Sequence, residues 1–128
     1  MRYLLDTNTV IYYLQQHFSA GAAMFVEDLL MTSKPYLSVI TEIELLCWKT
    51  ATPNDIQILK NFISDATVIE LESSIKYETV NIRKAHRIKL PDAIIAATAL
   101  VYDLTLITRN VSDFNDIAGL SLKNPWEF

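Results

Sequence analysis

The chain has 128 residues, 51% hydrophobic and 20% charged, which is enough to bury a core of its own and too apolar for a disordered or low-complexity segment. Fifteen Asp and Glu against eleven Lys and Arg leave a net charge of −4, which argues against gripping nucleic acid mainly by phosphate neutralisation. Two glycines exclude a Gly-rich phosphate loop, and the single cysteine, Cys47, excludes an internal disulfide and fits a reducing compartment.

Asp6 arrives before any signal-peptide apolar region can develop. The most apolar stretch, between Asp92 and Asp103, falls well short of the roughly 20 residues a membrane helix needs. A soluble cytoplasmic protein of one domain, residues 1–128, is expected. Tyr3-Leu4-Leu5 is a short apolar run that fits a strand buried on both faces. Val10, Ile11 and Leu14 then recur at helical spacing, and residues 21–33 predict a second helix with Phe25, Val26, Leu29 and Leu30 on one face. Pro35 ends it, and Tyr36–Ile40 predicts the second strand. Thr41 is expected to open a helix that turns Ile43, Leu46 and Cys47 inward. Pro53 and Asp55 start another, carrying Ile56, Leu59, Phe62 and Ile63.

Thr67–Leu71 predicts a third strand, followed by a helix over Ser73–Arg87. Leu90-Pro91-Asp92 is a start signal for the Ala-rich helix Ala93–Tyr102, Leu104–Thr108 reads as a fourth strand, and Leu120-Ser121-Leu122 as a short fifth. Strands alternating with helices imply βαβ units, hence a three-layer α/β/α fold around a mostly parallel sheet of four to five strands.

Ligands of such sheets bind beyond the carboxyl ends of the strands. Asp6 follows the first strand, Glu42 and Glu44 come in the first turn after the second, and Asp113 and Asp116 lie shortly after the fourth. Asp92 begins the helix that leads into the fourth. Two carboxylates 4 Å apart repel by about 4 kcal/mol at an effective dielectric of 20, so a gathering of acids either raises its pKa values or holds a cation. No His or Cys accompanies these acids, and an all-oxygen set, with Asn8 and water, suits Mg²⁺ or Mn²⁺. The chemistry indicated is metal-dependent phosphodiester hydrolysis.

Each acid also has an ordinary structural reading. Asp92 beside Pro91 favours a helix dipole, Thr41-Glu42-Ile43-Glu44 has capping-box spacing, Asp6 suits a turn, and Ser112-Asp113 suits a short helix cap. His17 and His86 lack partners at metal-ligand spacing and read as surface residues, and Cys47 reads as core. Arg83, Lys84, His86, Arg87 and Lys89 form a basic run before Asp92, either a solvated helix face or a positive rim that guides a polyanion. Tyr12, Tyr13, Phe18 and Phe25 exceed what one helical face needs and point to a partner or dimer surface.

These motifs together resemble the PIN-domain family, specifically the VapC-like toxins of type II toxin–antitoxin modules. The similarity runs from Leu4-Leu5-Asp6-Thr7-Asn8 through Val39-Ile40-Thr41 with Glu44-Leu45. It continues through Leu90-Pro91-Asp92-Ala93-Ile94-Ile95-Ala96-Ala97 to Leu106-Ile107-Thr108-Arg109-Asn110 and Asp113-Phe114. The resemblance implies that Asp6, Glu44, Asp92 and Asp113 are the catalytic, metal-holding acids, and it selects Glu44 over Glu42, which spacing left open. It also implies that Thr7, Asn8, Thr108 and Asn110 are polar helpers. Glu42 and Asp116 remain auxiliaries, and Arg83, Lys84, Arg87 and Lys89 are candidates for guiding RNA. Proteins of this kind are Mg²⁺- or Mn²⁺-dependent endoribonucleases, often homodimers, blocked by a cognate VapB-like antitoxin. Relatives often carry a glycine where Trp48 stands, which affects a helix end and none of the acids.

The alternative within the family is a non-catalytic RNA-binding or regulatory PIN module. A signalling receiver domain would need a phosphoacceptor Asp after the third strand, where Glu72 follows Leu71, and a Lys where Thr108-Arg109 stands. An aspartate-based phosphatase would need a second Asp where Asn8 stands.

Overall fold

A computed structural model describes residues 2–127. Five parallel strands, β1 (Tyr3–Leu5), β2 (Tyr36–Ser38), β3 (Thr67–Ile69), β4 (Thr105–Ile107) and β5 (Leu122–Lys123), form one sheet in the order β3-β2-β1-β4-β5. Six helices accompany them: α1 (Thr7–Leu14), α2 (Ala20–Thr32), α3 (Val39–Leu46), α4 (Pro53–Asp65), α5 (Ser73–Ala85) and α6 (Leu90–Tyr102). Single 3₁₀ turns follow at Val111–Asp113 and Pro125–Glu127.

Side chains alternate across the short strands and feed two cores. Leu4 and Leu106 point to one face, where Ile75 and Ile82 of α5 and Ala93, Ala96, Ala97 and Ala99 of α6 close the first core. Leu5, Leu37 and Ile107 point to the other, where Val10 of α1, Leu29 of α2, Leu45 of α3 and Leu59 of α4 close the second. The expected three-layer α/β/α arrangement follows from this alternation. Alanines on the buried face of α6 remove side-chain bulk between that helix and the sheet, so the following strand is held centrally beside β1.

The helix α3 departs most from expectation. Val39 and Ile40, read as the end of a strand, begin the helix, because the Ser38 hydroxyl caps it by accepting the Ile40 N–H at 3.1 Å. Thr41 therefore sits inside the first turn rather than opening the helix. Moving the start of the helix also changes the inward face: Thr41 and Leu45 are buried, whereas Ile43 and Leu46, expected inside, are 52% and 46% exposed. Cys47 is exposed as well and is no core residue.

Smaller differences have local causes. β2, β3 and β4 are three residues each, shorter than their apolar runs, because pairing stops where the helices or turns take over the backbone. β5 is Leu122–Lys123, displaced toward the carboxyl end of the predicted Leu120–Leu122, with Leu106 N–H donating to the Ser121 carbonyl at 2.9 Å. The aromatic residues of the first helices are largely used within the chain. Trp126 packs edge-on against Phe18 at 4.6 Å and Tyr12 at 5.3 Å, and Tyr13 meets Phe62 at 6.0 Å. Among the described residues no helix is long and apolar enough to cross a membrane.

Candidate functional site

The sheet order fixes where a site can form. From β1 the chain winds outward through β2 and β3, then returns across β1 to place β4 on its other side, so the direction of winding reverses between β1 and β4. A crevice opens at the carboxyl ends of two strands related in this way. Asp6 stands directly after β1, and its N–H donates to the Ile107 carbonyl of β4 at 3.2 Å. Helices between parallel strands run back along the sheet, so the first turn of α6, with Asp92, returns to the same edge.

Asp6 is held twice over. It is the N-cap of α1, with Oδ1 accepting the Thr9 N–H at 2.8 Å, while the Thr9 hydroxyl donates to the Ile107 carbonyl at 3.1 Å. Asp6, expected to suit a turn, instead caps α1, and it lines the crevice as well. Glu44 does not close a capping box on Thr41. Its Oε1 accepts the Thr7 hydroxyl at 2.6 Å, and the same hydroxyl lies 3.2 Å from the Thr41 hydroxyl, which ties α1 to α3 across the site. After β4 the Thr108 hydroxyl accepts the Asn110 N–H at 3.0 Å and shapes the turn that leads to Asp113. Ser112 and Asp113, expected to cap a short helix, lie inside the 3₁₀ turn Val111–Asp113, which has no side-chain cap bond.

These elements enclose a cavity of about 280 Å³ whose polar walls are Asp6, Thr7, Asn8, Glu44, Lys89, Asp92, Asn110 and Asp113, with Pro91, Ile95 and Phe114 as the apolar surround. Asp6, Glu44, Asp92 and Asp113, separated widely in sequence, thus meet at one place. Burial pushes the Asp6 carboxyl above its ordinary range, opposed by hydrogen bonds from Thr108 and Thr9 and reinforced by the charge of Glu44. Asp92 is also raised, first by burial and then by Asp113, Glu44 and Asp6, with Lys89 pulling the other way. Each acid thus stands in the field of its neighbours.

Of the remaining expected residues, Thr108 is buried behind Asp6 and does not line the cavity. Glu42 is half-buried on α3 and lines neither this cavity nor the one beside it. Asp116 faces the adjoining cavity with Arg87 and Lys89. Arg83 and Lys84 are exposed in the last turn of α5, where they complement the helix dipole, and line neither cavity. His86, read as a surface residue, is half-buried in the wall of the adjoining cavity. Its position inside the basic run was the one signal that pointed to it.

The donor set can be tested against a divalent cation. Among the described residues no three acidic, His or Cys side chains stand close enough to enclose an ion directly. The carboxylates are spread around the cavity walls, which suits a hard cation that keeps part of its water shell and takes one or two carboxylates directly, as Mg²⁺ does. With oxygen donors only, and mutual repulsion to be relieved, the residues fit such an ion.

Comparison with known proteins agrees with this architecture. Residues 3–120 match the family model for the PIN domain. A search of curated proteins gave no match. Among solved structures, a toxin–antitoxin complex from Klebsiella pneumoniae aligns at 30% identity and TM-score 0.78 over 98% of this chain and 99% of its own. VapBC-1 from nontypeable Haemophilus influenzae aligns at 26% identity and TM-score 0.81 over 100% of both chains. VapBC2 from Rickettsia felis, bound to a DNA fragment from its promoter, aligns at 25% identity and TM-score 0.82 over 97% of this chain and 98% of its own. Family model, sheet order and neighbouring structures coincide, and this chain belongs to the PIN-domain family, in its VapC-like form.

Proposed function

We propose that this protein is a metal-dependent endoribonuclease, the toxin of a VapBC-type toxin–antitoxin module. The observation that carries the reading is the convergence of four carboxylates from four chain segments on one cavity at the reversal point of a parallel sheet. Asp6, Glu44, Asp92 and Asp113 would hold Mg²⁺ or Mn²⁺. Once bound, the ion would supply Lewis-acid activation of water and offset charge developing on an RNA phosphodiester.

The chain's own residues supply positioning. The Thr9 amide and the α1 cap fix Asp6, and the Thr7 hydroxyl fixes Glu44. Asn8 and Asn110 offer amide donors and acceptors at the cavity edge. Lys89, between the acid cavity and the next, and Arg87 beside it place positive charge where a polyanion approaches, with Arg83 and Lys84 extending the basic run along α5. A VapB-like antitoxin and a second copy of the chain are the partners proposed, on the strength of the neighbouring toxin–antitoxin structures and of apolar side chains left exposed on α3 and α5, Ile43, Leu46, Tyr77 and Val80.

Purified protein incubated with single-stranded and structured RNA should cut it with Mn²⁺ or Mg²⁺ and not with EDTA. Asp92→Asn should slow cleavage by about two orders of magnitude or more. Cleavage by the parent in EDTA, or full activity of Asp92→Asn, would overturn the proposal. The wide spacing of the carboxylates favours one second reading, a non-catalytic RNA-binding or regulatory PIN module, which metal binding without cleavage would support.

A further inference from the structure

A second cavity, of about 410 Å³, adjoins the acid cavity and shares Lys89, Asp92 and Asp113 with it. One wall is the α5–α6 connection, with His86, Arg87 and Lys89. The opposite wall is the segment after β4, with Ser112, Asp113 and Asp116. Its volume falls within the roughly 300–1,000 Å³ of small-ligand sites. Among the described residues, neither the Arg87 nor the Asp116 side chain has a hydrogen-bond or ion-pair partner, so cationic donors and anionic acceptors face one space uncommitted.

We propose that this second cavity seats the nucleotide next to the scissile phosphate, with its phosphate on Arg87 and Lys89 and its base edge on Asp116, and that it selects guanine. The inference rests on the nuclease reading above for its orientation. A strand laid across the acid cavity must continue to one side, and on this side the second cavity shares Lys89, Asp92 and Asp113 with it.

The choice of base follows from donor chemistry. An ionised carboxylate only accepts hydrogen bonds, through two oxygens side by side. In single-stranded RNA the Watson–Crick edge is available to side chains. Guanine alone presents two adjacent N–H donors there, N1 and N2, which match the two oxygens of Asp116. Adenine and cytosine place an acceptor beside their amino group, and uracil flanks its one N–H with carbonyls that a carboxylate repels.

Backbone amide NMR of the full chain in Mg²⁺, titrated with the four nucleoside 5′-monophosphates, tests the site without any turnover. GMP should shift amides in 86–89 and 111–117 and bind at least about fivefold more tightly than AMP, CMP or UMP, the lower range for one bidentate base contact. Asp116→Asn should bring GMP down to the level of the others, and Arg87→Gln should weaken all four alike. Asp116 and Arg87 are exposed, so both variants should keep the parent's circular dichroism. Equal binding of the four nucleotides, no shift in those segments, or a GMP preference that survives Asp116→Asn would overturn the proposal. Sequencing of cleaved RNA ends separates its fate from that of the nuclease reading. RNA cut without guanine beside the break removes the guanine site and leaves the nuclease. GMP selectivity without any cleavage removes the nuclease and leaves a guanine-nucleotide site.

Discussion

Thr7 shows how a single hydroxyl can set a site. Its donation to Glu44 at 2.6 Å ties the acid of α3 to the helix that follows Asp6 and holds a flexible carboxylate in one orientation. Groups that orient a metal-holding side chain typically contribute 10- to 100-fold to affinity or activity. Thr7→Val keeps the shape and removes the donor, so RNA cleavage should fall by about one order of magnitude while thermal unfolding moves little, whereas Thr7→Ser should retain most activity. Equal rates for the three proteins would show that Glu44 needs no such support.

The raised carboxyls of Asp6 and Asp92 give a pH signature with a definite sign. A carboxyl raised by folding binds its proton more tightly in the folded state. The stability it contributes is complete below its ordinary value of 3.8 and is lost as pH rises through the raised folded value. For the metal-free protein, these two groups therefore favour mild acid over neutrality. Mg²⁺ competes with the same protons, so its stabilising effect should grow with pH across that window. Thermal unfolding of the parent and of Asp92→Asn, with EDTA and with Mg²⁺, checks both statements. A variant with the same pH slope as the parent would dismiss Asp92 as a source of it.

Among the elements, α3 records what periodicity can and cannot carry. Val39 and Ile40 are β-branched and continue the run from Tyr36-Leu37-Ser38, so local pattern favours a strand, yet the hydroxyl of that serine starts a helix two residues before Thr41. The inward face then passes from Ile43 and Leu46 to Thr41 and Leu45, a result that depends on the start residue and not on the spacing alone. By contrast α4 and α6 announce themselves through Pro53 and Pro91, and β1 and β4 through runs buried on both faces. The order β3-β2-β1-β4-β5 could not be read at all, because strand neighbours are chosen by packing between distant segments. The meeting of the four acids was legible because Asp6, Glu44 and Asp113 come after strands, Asp92 opens the helix leading into β4, and all four match a family pattern. His86 and Asp116 were not seen as facing one another, because that juxtaposition exists only after the α5–α6 connection and the segment following β4 have folded together. Ser38→Ala should cost about 1 kcal/mol, the usual worth of an N-cap, in urea unfolding. An unchanged midpoint would mean that α3 is held by the packing of Thr41 and Leu45 alone.

Across the whole molecule the net charge of −4 takes on a different meaning once the acids are placed. Four of the fifteen acids and one of the eleven Lys and Arg, Lys89, line one cavity, so the site holds most of the net charge and the rest of the chain is nearly balanced. The negative balance therefore marks the site rather than the surface as a whole. Without a cation, a phosphate approaching Asp6, Glu44, Asp92 and Asp113 meets a cluster of carboxylates only partly offset by Lys89. With divalent charge in place the same cavity becomes attractive to phosphate, and the basic residues on the α5–α6 connection can add to it. Binding of nucleic acid should thus depend on divalent metal more than on ionic strength. A fluorescent single-stranded DNA of the same sequence as a cleaved RNA, which lacks the 2′-hydroxyl, measures binding, with its length checked for breakage. Its affinity should rise about tenfold or more from EDTA to Mg²⁺ at matched ionic strength, by about the worth of one or two phosphate contacts. It should fall more gently when NaCl is raised with Mg²⁺ kept saturating. Equal affinity in EDTA and Mg²⁺ would mean that the strand is held by the basic connection alone, and that the acids take no part in recognising phosphate.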